Sequence, residues 1–193
     1  MNHFRNNFTQ LSCYYSEGIF AITVKGDGVC LKEKEELKLL FNSLIDTGNE
    51  EELRILSGVL DGLKKKKDGM HASYIGGIFQ MEDALYDGEC ELKIPLTPFV
   101  NNPLNIVHGG VIATMIDTAM GTLANQYLNE YEGAVTTQLN IHYLAPGKGS
   151  YLICKARIDH KGSKTLVLSA DVYRDDGKKA AQASGSFFIV NKK

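Results

Sequence analysis

The chain has 193 residues, 44% of them hydrophobic and 23% charged, and a formal net charge of -2. That length can bury a sizeable core, and the composition excludes a disordered or collagen-like chain and gives no electrostatic footprint for nucleic acid. The apolar stretches fall far short of a membrane span and the N-terminus lacks a signal-peptide core, so the expectation is a cytoplasmic protein with no membrane partner.

Residues 14–26 offer a strand too brief to assign, and residues 1–30 are left without one. Residues 31–47 then place Leu37, Leu40, Phe41 and Leu44 at helical spacing, and residues 50–66 repeat the pattern with Leu53, Leu56, Val59, Leu60 and Leu63. Gly48 and Asn49 supply a stop and an N-cap, and Lys64 to Lys67 sit where a helix C-terminus favours cations, which predicts an αα-hairpin. Near residue 68 the charged first third gives way to a more apolar remainder. From about residue 73 the pattern turns to alternation, with Cys90, Leu92, Ile94 and Leu96 facing one way and Glu89, Glu91 and Lys93 the other.

A helix is predicted over 109 to about 128. Ile112, Met115, Ile116, Ala119 and Leu123 form its buried stripe, while Gly110, Thr114, Asp117, Gly121 and Ala124 set a carboxylate in a row of small residues. Strands follow over 135–144, 151–160, 164–173 and 178–190, separated by Pro146-Gly147, Gly162 and Asp175-Asp176-Gly177; short loops between consecutive strands predict an antiparallel meander. Cys13, Cys30, Cys90 and Cys154 are scattered without a CxxC pair, so buried free thiols and no metal site are expected.

Two features carry chemistry. Asp117, among small residues, faces a helix, a ligand or solvent. His108 leads into Gly109 and Gly110, whose N–H groups the helix itself does not pair. Such an end suits a developing oxyanion, and it equally suits a tight strand-to-helix turn that needs glycine.

The strings NPLNIVHGGVIATMIDTAMG, AVTTQLNIHYLAPG and HKGSKTLVLSADVYRDDGKKAAQASGSFFIV resemble the hotdog-fold acyl-CoA thioesterases of the phenylacetate-pathway and 4-hydroxybenzoyl-CoA thioesterase type, over roughly residues 50–190. The resemblance implies an α+β hotdog fold in residues 49–193, an antiparallel sheet wrapped around one long helix, with residues 1–48 as an N-terminal helical extension of unassigned role. It implies an enzyme that hydrolyses acyl-CoA to free acid and CoA, with CoA as part of the substrate and no separate cofactor. Subunits of this family pair as homodimers and often as tetramers.

Carried over residue by residue, Asp117 matches the family's general base or nucleophile, Gly109 the glycine whose N–H polarises the thioester carbonyl, and Asn102 the asparagine that helps hold it. His108 matches the histidine that shapes the turn. Thr136 falls where some members place a hydroxyl that positions water, with Thr137 as the alternative after a one-residue slip. By alternation Thr136 shares a face with Gln138, Asn140 and His142. The Lys161, Gly162, Ser163 and Lys164 loop matches a family segment that often meets the CoA nucleotide, with Gly110 assigned to the same binding and Lys148 placed to assist, and the loop equally suits a plain solvent-exposed hairpin. Gly109 and Asp117 are separated by about 12 Å of helix rise, too far to serve one carbon, so two antiparallel helices across a twofold axis are expected to build composite sites, approaching at Thr114 and Gly121.

The alternatives are a non-catalytic acyl-CoA-sensing regulator, whose DNA-binding arm the equal numbers of cations and anions in residues 31–67 oppose, and a hotdog hydratase or dehydratase.

Overall fold

The computed structural model describes residues 31–192, with side chains from Glu33 onward; the expected strand over 14–26, Cys13 and Cys30 lie outside them. The chain separates into two compact units, Met1–Gly48 and Asn49–Lys193. The described part of the first is helix α1, Leu31–Thr47. Its predicted apolar face is open, with Leu37, Leu40 and Leu44 exposed and Phe41 half-buried.

The second unit begins with α2, Glu50–Lys67, started by a capping box in which Asn49 accepts from the Glu52 N–H and the Glu52 carboxylate accepts from the Asn49 N–H. Glu50, Glu51 and Glu52 in the first turn and Lys64 to Lys67 in the last complement the helix dipole. Alternation does not begin at residue 73: Ser73 caps a short helix α3, Tyr74–Ile78, through a 3.0 Å bond from the Gly76 N–H. Its two glycines hid it by lowering helix propensity, and their use is packing. A Cβ on Gly62 of α2 would stand 2.3 Å from the Gly77 carbonyl oxygen, so the backbones meet where no side chain fits.

Strands β1 (Glu82–Tyr86), β2 (Glu89–Pro95), β3 (Glu132–Tyr143), β4 (Tyr151–Lys161), β5 (Thr165–Arg174) and β6 (Lys179–Asn191) form one antiparallel sheet in the order β1-β2-β4-β5-β6-β3. The expected meander holds for β4, β5 and β6. It fails for β3, which pairs with β6 at the far edge instead of with β4. The Leu144–Ser150 segment carries the chain across the end of the sheet, its crossing held by Leu144 and Ala145 N–H bonds to the Ala180 carbonyl.

Helix α4, Gly109–Gln126, lies on one face of the sheet against β2 to β6. Ile112, Met115, Ile116, Ala119 and Leu123 are all buried, as are Met120 and Ala124. They pack with Leu92, Leu152, Leu166, Leu168, Val172 and Phe187 from the sheet, each large side chain contributing about 1.5–3 kcal/mol. Cys90 and Cys154 are free thiols in this core; burial pushes the Cys90 thiol up to about 12 and raises that of Cys154 further.

Candidate active site

Three side-chain bonds fasten β3 along α4, in opposite directions. The Asn125 Oδ1 accepts from the Ala134 N–H at 3.1 Å, Thr136 Oγ1 donates to Asp117 Oδ1 at 2.7 Å, and the Tyr143 hydroxyl donates to the Gly109 carbonyl at 2.9 Å. Ala134, Leu139 and Ile141 pack on the core between these points. Strict alternation cannot put 134, 136, 139, 141 and 143 on one face, and the strand resolves this with a bulge. Thr136 pairs with Phe187 and Gln138 with Ser186, so Thr137 is the extra residue.

The bulge corrects the sequence reading. Thr136 does not share a face with Gln138, Asn140 and His142, which lie on the side away from α4. The hydroxyl in contact with Asp117 belongs to Thr136, while Thr137 Oγ1 donates to the Ser186 carbonyl at 3.0 Å. Asp117 is half-buried, and its second carboxylate oxygen is not used by Thr136.

Ahead of α4, the 3₁₀ turn Pro98–Val100 and a tight loop aim the helix start. The His108 N–H bonds the Val100 carbonyl at 2.9 Å and the Val107 N–H the Gly147 carbonyl at 3.0 Å. Asn102 organises the loop between them. Its Oδ1 accepts from the Leu104 N–H at 2.9 Å, and its own N–H bonds the Ile106 carbonyl at 2.8 Å. The Asn102 side-chain NH2 has no partner among the described residues.

His108 is the N-cap, its Nδ1 accepting from the Gly110 N–H at 2.9 Å. The expectation of two unpaired glycine donors is therefore corrected: the imidazole consumes that of Gly110, and Gly109 at the first helical position keeps a donor that neither helix nor cap uses. The small-residue row is also partly committed. Thr114 Oγ1 donates to the Gly110 carbonyl at 2.9 Å, Ala124 is buried, and a Cβ on Gly121 would meet the Phe187 ring at 3.8 Å.

The Lys161–Lys164 loop lies at the other end of α4. Lys161 Nζ donates to the Tyr127 carbonyl at 2.9 Å, and the Gly162 N–H bonds the Thr165 carbonyl at 2.8 Å. Ser163, Lys164 and Lys148 are exposed. The structure thus brings Asp117 and Thr136 together, and His108, Gly109, Gly110 and Asn102 together, as two groups separated along one helix. Asn125 and Tyr143 were not singled out from the sequence, although Tyr143 belongs to the HYLAPG string.

Among the described residues no helix is long and apolar enough to cross a membrane. A six-stranded antiparallel sheet packed on one long helix defines the hotdog fold of the thioester hydrolases. Residues 104–181 match the model of the Thioesterase superfamily. A putative esterase of Saccharolobus solfataricus is 33% identical over 110 residues, 56% of this chain and 77% of that protein. Acyl-coenzyme A thioesterase 13 of Mus musculus is 29% identical over 104 residues, 53% of this chain and 72% of that protein. Among solved structures, a Bacillus halodurans protein crystallised with CoA superposes with a TM-score of 0.74 at 43% identity, covering 79% of this chain and 99% of its own. The chain belongs to the thioesterase superfamily.

Proposed function

We propose that the chain hydrolyses acyl-CoA to free acid and CoA, in the manner of the phenylacetate-pathway and 4-hydroxybenzoyl-CoA thioesterases, as a homodimer with two composite sites that can join as a tetramer. Residues 49–193 are the hotdog domain of this reading and residues 1–48 an extension to it. The observation that carries it is the Asp117–Thr136 pair, 2.7 Å apart on α4 and an edge strand, with the unspent Gly109 donor about 12 Å along the same helix. β3 is twelve residues long and pairs on one side only. Pairing its free edge with that of a second copy about a twofold axis would lay the two α4 helices antiparallel, each Asp117 toward the other's Gly109.

In such a site the thioester carbonyl accepts from the Gly109 N–H, with the amide of Asn102 as a second donor. Thr136 holds one oxygen of Asp117, so the other faces water or the carbonyl carbon. In one route Asp117 takes a proton from water as the water oxygen attacks; the carbonyl electrons collect on the oxygen held by Gly109, then return as the C–S bond breaks and the thiolate leaves, to be protonated. In the other, Asp117 attacks directly, CoA departs, and water hydrolyses the resulting anhydride. Both require no cofactor. The Lys161–Lys164 loop meets the CoA nucleotide, with Lys161, Ser163 and Lys164 exposed, Gly162 shaping its turn and Lys161 braced on α4, while Lys148 and the open face of Gly110 assist from the opposite end of the helix.

Support comes from the Bacillus halodurans relative, which was crystallised with CoA, and from the mouse acyl-coenzyme A thioesterase. The test is thiol release across short, medium, long and aromatic acyl-CoAs. Asp117→Asn should cut turnover at least about a hundredfold with fold and dimer intact; retained turnover overturns the assignment. Mixing Asp117→Asn and Gly109→Pro subunits should restore activity through one intact site per mixed dimer. Absence of rescue in dimers proven to be mixed would remove the composite site.

A further inference from the structure

We propose that the cavity between α2, α3 and the 3₁₀ turn receives the acyl tail of the substrate, and that the Gln80 side chain limits the length of tail it accepts. This rests on the acyl-CoA reading above. The cavity has a volume of about 250 Å³, with walls mainly from Ile55 and Val59 of α2, Ile78 of α3, and Leu96 and Phe99 around the turn, and with Arg54, paired to Glu50, and Thr97 as polar members of the lining. An apolar space of this kind suits hydrocarbon. Phe99 adjoins Val100, whose carbonyl takes the His108 N–H at 2.9 Å, so chain geometry keeps the Cα atoms of Phe99 and Gly109 within about 13 Å. The wall of the cavity and the loop that aims the oxyanion donor are one segment.

Two residues on this wall run against their local structure. Gln80 ends α3 at φ +51°, in the left-handed region. Its N–H bonds the Gly77 carbonyl at 3.0 Å and the Met81 N–H bonds that of Gly76 at 2.9 Å. In this helix ending the left-handed residue is usually glycine, which adopts it without strain. The Gln80 side chain earns no hydrogen bond in return among the described residues, yet its Nε2 lies 3.1 Å from where a Cβ on Gly58 would stand. Gly58 is itself a glycine inside α2, where alanine would favour the helix. Departures from local preference concentrate where function needs them. Here both face one cavity, the glutamine filling part of it and the glycine leaving room.

The measurement is calorimetric titration with S-alkyl-CoA thioethers of four to twelve carbons, which no thioesterase hydrolyses, so binding is read apart from turnover. Wild-type affinity should rise about fourfold per methylene until the cavity is full. Gly58→Leu should end that rise at a shorter chain with S-butyl-CoA affinity unchanged. Gln80→Gly should extend it to a longer chain and raise the thermal midpoint by relieving φ. Should Gly58→Leu not fold, Gln80→Gly decides alone. Affinity independent of chain length in the wild type, or an unmoved end-point in the folded variants, overturns the proposal. Chain-length-dependent binding without hydrolysis of any thioester would instead overturn the catalytic reading and leave the cavity assigned.

Discussion

At the start of α4 the His108 imidazole takes the Gly110 N–H and leaves that of Gly109 unused, whereas at its end Lys161 reaches from β4 to the Tyr127 carbonyl. Every helix has unpaired N–H groups at one end and unpaired carbonyls at the other. In this helix one end is capped so as to keep a donor available, and the other is closed by a cation that also lies 5.5 Å from the Tyr127 ring centroid. The open end is bordered by glycines and an asparagine loop, the closed end by the Lys161 side chain. In the proposed reading the open end holds the thioester carbonyl, while the closed end braces the loop that meets CoA.

Gly109→Pro tests the open end most severely. Proline suits the first helical position, and His108 at φ -61° and ψ 133° already has the extended backbone a following proline requires. The substitution removes the N–H and sets its Cβ in ordinary contact with the Tyr143 ring at 3.5 Å, so kcat should fall by about 10²–10³ while the thermal midpoint changes little. Tyr143→Phe is milder. It removes the 2.9 Å bond to the Gly109 carbonyl, and kcat should drop about two- to tenfold with KM nearly constant. At the closed end, Lys161→Met should lower stability by about 0.3–1 kcal/mol, read from the denaturant midpoint, and raise the KM for acyl-CoA while leaving kcat unchanged. A large fall in kcat for Lys161→Met would erase the distinction between the ends.

The long helices and strands were legible because their periods are local, whereas the five-residue α3 is too short to show one. The stripe Ile112, Met115, Ile116, Ala119 and Leu123 repeats at the helical interval, and all five residues are buried. Strand order is not a local property: nothing within residues 135–144 states that their partner is β6, some forty residues on. The bulge at Thr137 was equally hidden, since Thr-Thr-Gln reads as polar on either face. As for the candidate site, the HGG string marked the helix start, but only coordinates show that His108 withdraws one of its two donors. Tyr143 and Asn125 escaped because their bonds run to backbone atoms, the Gly109 carbonyl of α4 and the Ala134 N–H of β3, and backbone groups leave no trace in residue identity.

The open end also has an acid-sensitive brace. Gly147, which holds Val107 ahead of α4, belongs to a loop whose Ser150 N–H donates to Asp175 Oδ2 at 2.6 Å. Gly149 beside it has φ +112°, and a Cβ there would come within 2.1 Å of Asp175 Oδ1, so the carboxylate seats against bare backbone. The bond from Ser150 holds the Asp175 carboxyl below its ordinary value of 3.8. A depressed carboxylate stabilises the folded chain above its unfolded value and ceases to do so as pH falls through the folded one. The thermal midpoint of Asp175→Asn should therefore lie below that of wild type at neutral pH, with a gap that is constant down to about pH 5 and closes below about pH 4. Adding Asp175→Asn to Lys161→Met should give additive losses, because the two act at opposite ends of α4. A gap that persists undiminished at pH 2 would show that Asp175 contributes through its shape and not through its charge.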